Sequence, residues 1–257
     1  MKQELPKNYK VSVCLATYNG DKYIYEQAKS ILAQLSDDDE LIIVDDCSTD
    51  DTVLKIKAIN DKKIHLYVNK TNLGVNATFE RAIKLAKNDY IFLSDQDDIW
   101  IEDRVHTMVS KLCIDKSALI TSNLTWIDDE NAPVDIKIDG VSSQKSNSYF
   151  KNILDIFYGK TNYYGCAMMF RKELRQLICP MPKYVESHDL WIAFAGNLLK
   201  SNTHIDDVML LKRIHDNNLT STVSKRPFYK KLFSRVIFVL SLLTLTWRLI
   251  LKQAKIN

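Results

Sequence analysis

The strongest constraint on the fold is an alternation within the first hundred residues. Short apolar runs, "KVSVCLATYNG", "DELIIVDDCSTDDT", "KIHLYVN" and "DYIFLSDQDD", are separated by segments with helical spacing. Each run ends in Asn, Asp, Gly or Ser, the punctuation of a strand leaving a sheet. Between the first two, Tyr25, Ala28, Ile31, Leu32 and Leu35 recur at helix spacing over residues 21 to 35. A second helix is expected over residues 51 to 59 with Ser48 or Thr49 as its cap, and a third follows the loop that opens "NLGVNATFERAIKLAK". Alternation of this kind predicts an α/β fold with a mostly parallel, doubly wound sheet and flanking helices. Ligands of such sheets sit beyond the carboxyl ends of the strands, so Thr17-Tyr18-Asn19, Asp45-Asp46 and Ser94 to Asp98 should face one crevice.

The rest of the chain is less periodic. A helix is expected over residues 149 to 158, "TNYYGCAMMFRKEL" reads as a strand passing into a helix, and "VESHDLWIAFAGNLLK" as a helix beginning near Ser187. "HIDDVMLLKRIHDNNLTS" reads as a strand followed by a polar loop, and residues 128 to 148 as loop. Charge divides the chain unevenly. From Lys212 onward there are ten Lys/Arg against Asp216 alone, a net of +9, while the first 211 residues carry a net of −6. Within the basic tail, residues 236 to 247 hold no charge at all. A spanning helix needs about 20 apolar residues, so the run is short for that, and a basic, apolar helix suits an anionic membrane surface. Packing on the core is the other arrangement open to it. Two units follow: a main domain over residues 1–225 and a membrane-associating basic helix over 226–257.

Five scattered cysteines form no CxxC, which favours buried thiols over zinc, and "MKQELPKNYK" has no apolar signal region, so a reducing, cytoplasmic setting is expected. Nucleic-acid binding is disfavoured, because the bases cluster with an apolar helix.

The crowded carboxylates of "IFLSDQDDIW" carry the chemistry. Asp95, Asp97 and Asp98 sit within four positions, and like charges that close disfavour one another's ionisation. Either the turn is solvated or a cation neutralises it. Asp95 and Asp97 at i and i+2 can both face Mg²⁺ or Mn²⁺, which takes its remaining ligands from phosphate and water. No EF-hand loop is present.

Taken in order, "VSVCLATYNG", "DELIIVDDCSTDDT", "NLGVNATFERAI" and "YIFLSDQDDIW" resemble the nucleotide-sugar half of family 2 glycosyltransferases, whose fold is the Rossmann-like GT-A architecture. The resemblance covers roughly residues 9 to 215, and "SDQDDIW", "HDLW" and "KRIHDNN" are similar to the branch that contains bacterial rhamnosyltransferases. It implies the following roles. Asp46, with Asp45 beside it, binds the pyrimidine base, and Thr17 and Tyr18 line the base pocket. Asp97 and Asp95 bind the metal, Asp95 also lying nearer the ribose, His215 reaches the metal or diphosphate, and Arg213, which with Asn217 flanks it, binds the nucleotide-sugar. Asp98 contacts or orients the donor sugar, Asn76 or Arg81 approaches the donor, and Gly165 lets the sugars close on the backbone. Asp189 is the catalytic base, His188, where the family usually has Glu, lies on the side of the sugars, and Trp191 packs on the acceptor.

The function so implied is an inverting, metal-dependent glycosyltransferase, using Mn²⁺ or Mg²⁺ and a dTDP- or UDP-sugar, rhamnose favoured. Its acceptor would be a lipid-linked saccharide at the inner face of the cell membrane. A nucleotidyltransferase fits less well, because "ATYNGDKY" has no Gly-rich phosphate loop. The non-enzymatic alternative is a nucleotide-sugar-binding member of a membrane assembly complex, with intact Asp97 and Asp189 arguing against it.

Overall fold

The structure is a computed structural model and describes residues 9–136, 140–160, 163–215 and 227–254. Its first half runs β1 (Val11–Thr17), α1 (Ile24–Leu32), β2 (Glu40–Asp45), α2 (Thr52–Ile59), β3 (Ile64–Val68), α3 (Val75–Leu85) and β4 (Tyr90–Ser94). Strands β1 and β2 are buried almost throughout, as continuous apolar strands covered on both faces must be. Side chains alternate across the sheet. Val11, Val13 and Leu15 enter one core layer with Ile24, Ala28 and Ile31, while Cys14 enters the other with Phe79 and Ile83. The buried stripe of α1 is Ile24, Gln27, Ala28, Ile31 and Leu32, so Tyr25, expected on that stripe, instead points outward. Neither Ser48 nor Thr49 caps α2. Ser48 bonds Asp45, Thr49 bonds Asn19, and Asp51 holds the cap position without a side-chain bond.

The second half runs β5 (Ile99–Trp100), α4 (Arg104–Ile114), β6 (Leu119–Ile127), β7 (Pro133–Val134), α5 (Tyr149–Tyr158), β8 (Met168–Arg171), α6 (Arg175–Ile178), α7 (His188–Leu198), β9 (Asn202–Arg213) and α8 (Phe228–Ala254). One sheet results, ordered β3-β2-β1-β4-β8-β6-β9-β5, with β7 on β6. The four strands β3, β2, β1 and β4 are parallel; β8 pairs antiparallel with β4 and β6, and β9 runs parallel to β6. The parallel sheet expected from the alternation is the first half, and the second half completes it as a mixed one. Pairing of β5 with β9 sets Ile99 opposite Leu211 and Trp100 opposite Leu210. That register swings the end of β9 beneath the acidic turn after β4.

Helix α8 packs one face on the body, the second of the two arrangements its sequence allows. Ile237, Phe238 and Leu245 are buried, with the Phe238 ring 5.6 Å from that of Phe194 and 6.5 Å from that of Phe157. Each such side chain contributes about 1.5–3 kcal/mol of burial. The opposite face is exposed. The boundary expected at 225/226 lies outside the described residues, as does Asn217. All five cysteines are free; Cys14 and Cys166 are buried and the others half-buried.

Candidate active site

Register lines up the strand ends. Thr17 lies opposite Asp45, and Leu15 opposite Ser94, so the three polar clusters share the carboxyl edge of the parallel half. Thr17 Oγ1 donates to Gln96 Oε1 at 2.7 Å, and the Tyr18 amide donates to the same oxygen at 2.8 Å. Tyr18 itself is 45% exposed, on the loop that follows β1. The adjacent acids Asp45 and Asp46 do separate work. Asp45 accepts the Ser48 amide and hydroxyl, which fixes the turn after β2. Asp46 accepts from Asn69 Nδ2 at 2.7 Å and from the amides of Leu73 and Gly74 at 2.8 Å. Gly74, at φ +84, turns the chain into α3 through a conformation that side chains rarely adopt. Three bonds leave Asp46 one of the four acceptor positions of a carboxylate.

The turn after β4 meets three consecutive chemistries from the end of β9. Lys212 Nζ is 2.9 Å from Asp95 Oδ2, 3.7 Å from Asp98 Oδ2 and 3.6 Å from the Cys166 sulfur. Arg213, fully buried, donates through Nε to the Asp97 carbonyl at 3.0 Å, through its backbone amide to Asp98 Oδ1 at 3.2 Å, and through Nη2 to Glu26 at 2.9 Å. His215 Nε2 is 2.8 Å from Asp97 Oδ2, and its ring stacks on Tyr23 at 4.9 Å. Electrostatics follow from these contacts. Burial, reinforced by Asp97 and Asp95 against the pull of Lys212, pushes the Asp98 carboxyl up to about 7. Burial works the same way on Asp95, but the Lys212 ammonium outweighs it and holds that carboxyl below its ordinary value. Burial also pushes the Cys166 thiol well above its usual range.

Two sets of donors could be considered for a divalent ion. Asp95, Asp98 and Cys166 bring their ligand atoms within 4.8 Å, but an ammonium already sits among them and the third donor is a protonated thiol. That set does not suit a hard cation. Asp97 and His215, an oxygen and a nitrogen donor 2.8 Å apart, are the pair that could hold such an ion, Mn²⁺ more readily than Mg²⁺ because one donor is an imidazole; Asp95, on the same turn, could join them only through the oxygen that Lys212 leaves open.

Across the crevice, α7 begins with the remaining acid. Ser187 caps the helix, accepting from the Leu190 amide, and Asp189 lies in its first turn. Asp189 Oδ1 is 2.7 Å from His188 Nε2. His188 is buried, its ring stacks on Phe79 at 4.2 Å, and its amide donates to Asn76 Oδ1 at 3.0 Å. Burial alone would lower its pKa, yet the Asp189 carboxylate raises it above the ordinary histidine value. A Cβ on Gly165 would lie 2.6 Å from both Asp189 Oδ1 and His188 Nε2. Absence of a side chain is what lets this backbone touch the pair, while the neighbouring Cys166 touches Lys212. Residues 165 and 166 thus join the two clusters.

Some expected residues are not brought to the crevice directly. Trp191 is buried in the core, its Nε1 donating to the Ile178 carbonyl at 2.9 Å, with Arg248 over its ring. Asn76 ties Val185 to His188, and Arg81 donates to Val68 and Asn69, so both act through neighbours. Lys212, Gln96 and Glu26 are absent from the sequence reading. For Lys212 a signal existed: a lysine within the otherwise apolar strand "VMLLKR" needs a buried acid to meet.

Comparison with known proteins agrees with this layout. The family model for glycosyl transferase family 2 matches residues 12–178. The dTDP-rhamnosyl transferase RfbG of Shigella flexneri is 28% identical over 237 residues, covering 85% of this chain and 78% of RfbG. The UDP-Glc:α-D-GlcNAc-diphosphoundecaprenol β-1,3-glucosyltransferase WfaP of Escherichia coli is also 28% identical, covering 84% of this chain and 81% of WfaP. Among solved structures, S. aureus TarS 1-349 in complex with UDP-GlcNAc superimposes with a TM-score of 0.66 at 20% identity, covering 90% of this chain and 66% of that one. That likeness establishes the GT-A architecture, and the chain spans just under two thirds of the TarS fragment. With the family model covering well over half of its residues, the chain belongs to glycosyl transferase family 2 and is a glycosyltransferase.

Proposed function

We propose that this enzyme transfers a sugar, rhamnose before others, from a dTDP- or UDP-linked donor to a lipid-linked saccharide in bacterial surface-polysaccharide synthesis. The observation that carries the reading is the meeting of the acidic turn with the His188–Asp189 pair at residues 165 and 166. Leaving group and base are thereby held on two sides of one small backbone segment. Similarity to RfbG and WfaP, a rhamnosyl and a lipid-diphosphate glucosyl transferase, supports the substrate class.

Asp97 and His215, with Asp95, are the residues that would hold Mn²⁺ or Mg²⁺, which when bound supplies positive charge for the departing diphosphate. Arg213 fixes the backbone of Asp97, and Lys212 keeps Asp95 ionised. Thr17, Tyr18, Asp45 and Asp46 form the base side of the crevice, where the free acceptor position of Asp46 can take a pyrimidine N–H. Asp98 and Gly165 lie on the sugar side. Asp189 takes the proton from the acceptor hydroxyl while that oxygen bonds the anomeric carbon from the face opposite the diphosphate. The carbon–oxygen bond to the diphosphate breaks with its electron pair, and the configuration inverts. His188, whose Nε2 lies 2.7 Å from Asp189 Oδ1, positions the carboxylate. The enzyme works as a peripheral protein at the inner face of the membrane, where such acceptors are anchored.

Calorimetry with a nucleotide-sugar panel, in Mn²⁺ and then in EDTA, tests the reading. Metal-dependent binding of dTDP-rhamnose above UDP-sugars is the expected result. Preference for a UDP-sugar would replace the rhamnose assignment, and binding without transfer to a lipid-linked acceptor would favour the non-catalytic alternative.

A further inference from the structure

Helix α8 is apolar on two opposite faces, and only one of them is used inside the protein. Ser234, Ile237, Phe238, Ser241 and Leu245 are buried on the body. On the far side, Leu232, Val236, Val239, Leu243, Trp247 and Ile250 follow one another at spacings of three and four and are each 45% to 62% exposed. They form a single stripe along a helix of 27 residues, about 40 Å long. No acid occurs from Phe228 to Ala254, and Lys230, Lys231, Arg235, Arg248 and Lys252 lie off the stripe. An uninterrupted apolar stripe of this size on a folded surface marks an interaction face.

We infer that α8 lies flat in the headgroup region of an anionic bilayer, its exposed stripe in the lipid and its other face holding the catalytic domain. Charge chooses the partner. Exposed Lys231 flanks the stripe and exposed Lys230 and Lys252 stand at its two ends, where they reach lipid phosphates, while Arg235 and Arg248 turn to the body; a second copy laid against the same stripe would bring lysines together with no acid on either helix to pair them. Packing chooses the orientation. The helix is tied sideways along its length, by Ser234 to Glu186 at 2.7 Å, by Thr244 to Tyr184 at 2.5 Å, and by Arg248 to the carbonyls of Leu177 and Pro180 at 2.7 and 2.6 Å. A spanning helix would have to give up all of these. The first tie joins α8 to Glu186, just before α7, so the helix is anchored to the segment that carries the base. The placement deepens the membrane-surface part of the proposed function and rests on it, but is read by different measurements.

The full-length chain is sedimented with mixed phosphatidylglycerol–phosphatidylcholine vesicles and with phosphatidylcholine alone. Binding to the anionic vesicles should weaken more than about 10-fold in the Leu243→Glu/Trp247→Glu variant, with nucleotide-sugar binding retained as the check on folding. Lys230→Gln/Lys231→Gln should weaken it less, and only on the anionic vesicles. Depth is read with brominated lipids, comparing Trp247 with a tryptophan moved to the same face in Val236→Trp/Trp247→Phe. Equal depths are expected, because a spanning helix would separate the two by about 16 Å. Unequal depths, no vesicle binding, or a dimer that the Leu243→Glu/Trp247→Glu change dissolves would each overturn the inference. Vesicle binding without sugar transfer would uphold it and remove the proposed function instead.

Discussion

The two halves of the sheet bring opposite chemistries to the crevice. The parallel half ends in acids, Asp45, Asp46, Asp95, Asp97 and Asp98, each set by a short local motif at a strand end. The mixed half answers with Lys212, Arg213 and His215 from one strand end and with His188 from one helix start. Acids alone at that density would repel one another. The difference teaches that the site is made by matching across the sheet, with β9 carrying the cations to where the parallel strands leave their carboxylates. Asp189 is the exception, an acid supplied by the mixed half and faced by its own imidazole.

That exception gives the largest expected effect. Asp189→Asn keeps shape and donor contacts but removes the proton acceptor, so transfer should fall by roughly 10²–10⁴ while donor affinity stays unchanged. Single-turnover kinetics beside calorimetry checks this, and transfer at the normal rate would take Asp189 out of the mechanism. Next comes Lys212→Met. Its side chain is 7% exposed and that of Asp98 is fully buried, so removing the ammonium leaves Asp95 without its partner and forces a proton onto Asp98. A loss of about 3–5 kcal/mol in urea unfolding is expected. Adding Asp98→Asn to the Lys212→Met variant should recover part of it, because the carboxyl that must take that proton goes too. If Lys212→Met unfolds like the wild type, matching across the sheet is not what holds the acidic turn.

The same contrast decides what the sequence makes legible. The acids sit in contiguous motifs whose strand and turn are both local, so Asp45, Asp46, Asp95, Asp97 and Asp98 are found by pattern alone. Lys212 is invisible until the β5–β9 register puts Leu211 opposite Ile99 and so the next residue beneath Asp98. Strands β5 and β7 are equally illegible in sequence, because at two residues each they take their structure from their partners. Trp191 shows the reverse error. "HDLW" puts it beside Asp189 in sequence, but two residues along a helix is about 200° of rotation, which turns it into the core.

Acid sensitivity should also divide by region. In the mixed half, His204 Nδ1 donates to the Ser142 carbonyl at 3.2 Å and its Nε2 lies 2.8 Å from the Tyr163 hydroxyl, and burial lowers its pKa to about 4. The unfolded chain takes up this proton as pH falls through 6.5, and the folded chain not until about 4. Stability is therefore lost as pH falls between those values, by about 3 kcal/mol in total. Asp98 works oppositely: its raised carboxyl contributes stability that is present below its unfolded value and lost as pH rises through about 7. The difference between wild type and His204→Phe isolates the histidine. Unfolding free energies that run parallel from pH 7 to pH 4 would show that His204 is not the group responsible.

The smallest effect sharpens the comparison most, because it acts where the halves meet. In Gly165→Ala the new methyl would lie 2.6 Å from both members of the His188–Asp189 pair, so one of them must move. His188 is held from behind by the Phe79 ring and by Asn76, leaving Asp189, 24% exposed in its side chain, as the group that yields. Displacing the base by a fraction of an ångström should lower transfer by about 10- to 100-fold and leave metal-dependent donor binding unchanged. The acidic turn is reached through Cys166 rather than through Gly165, which is why the two readouts separate. Equal losses in donor binding and transfer would mean that the clusters move as one body, and that the division of labour between the two halves does not hold at this contact.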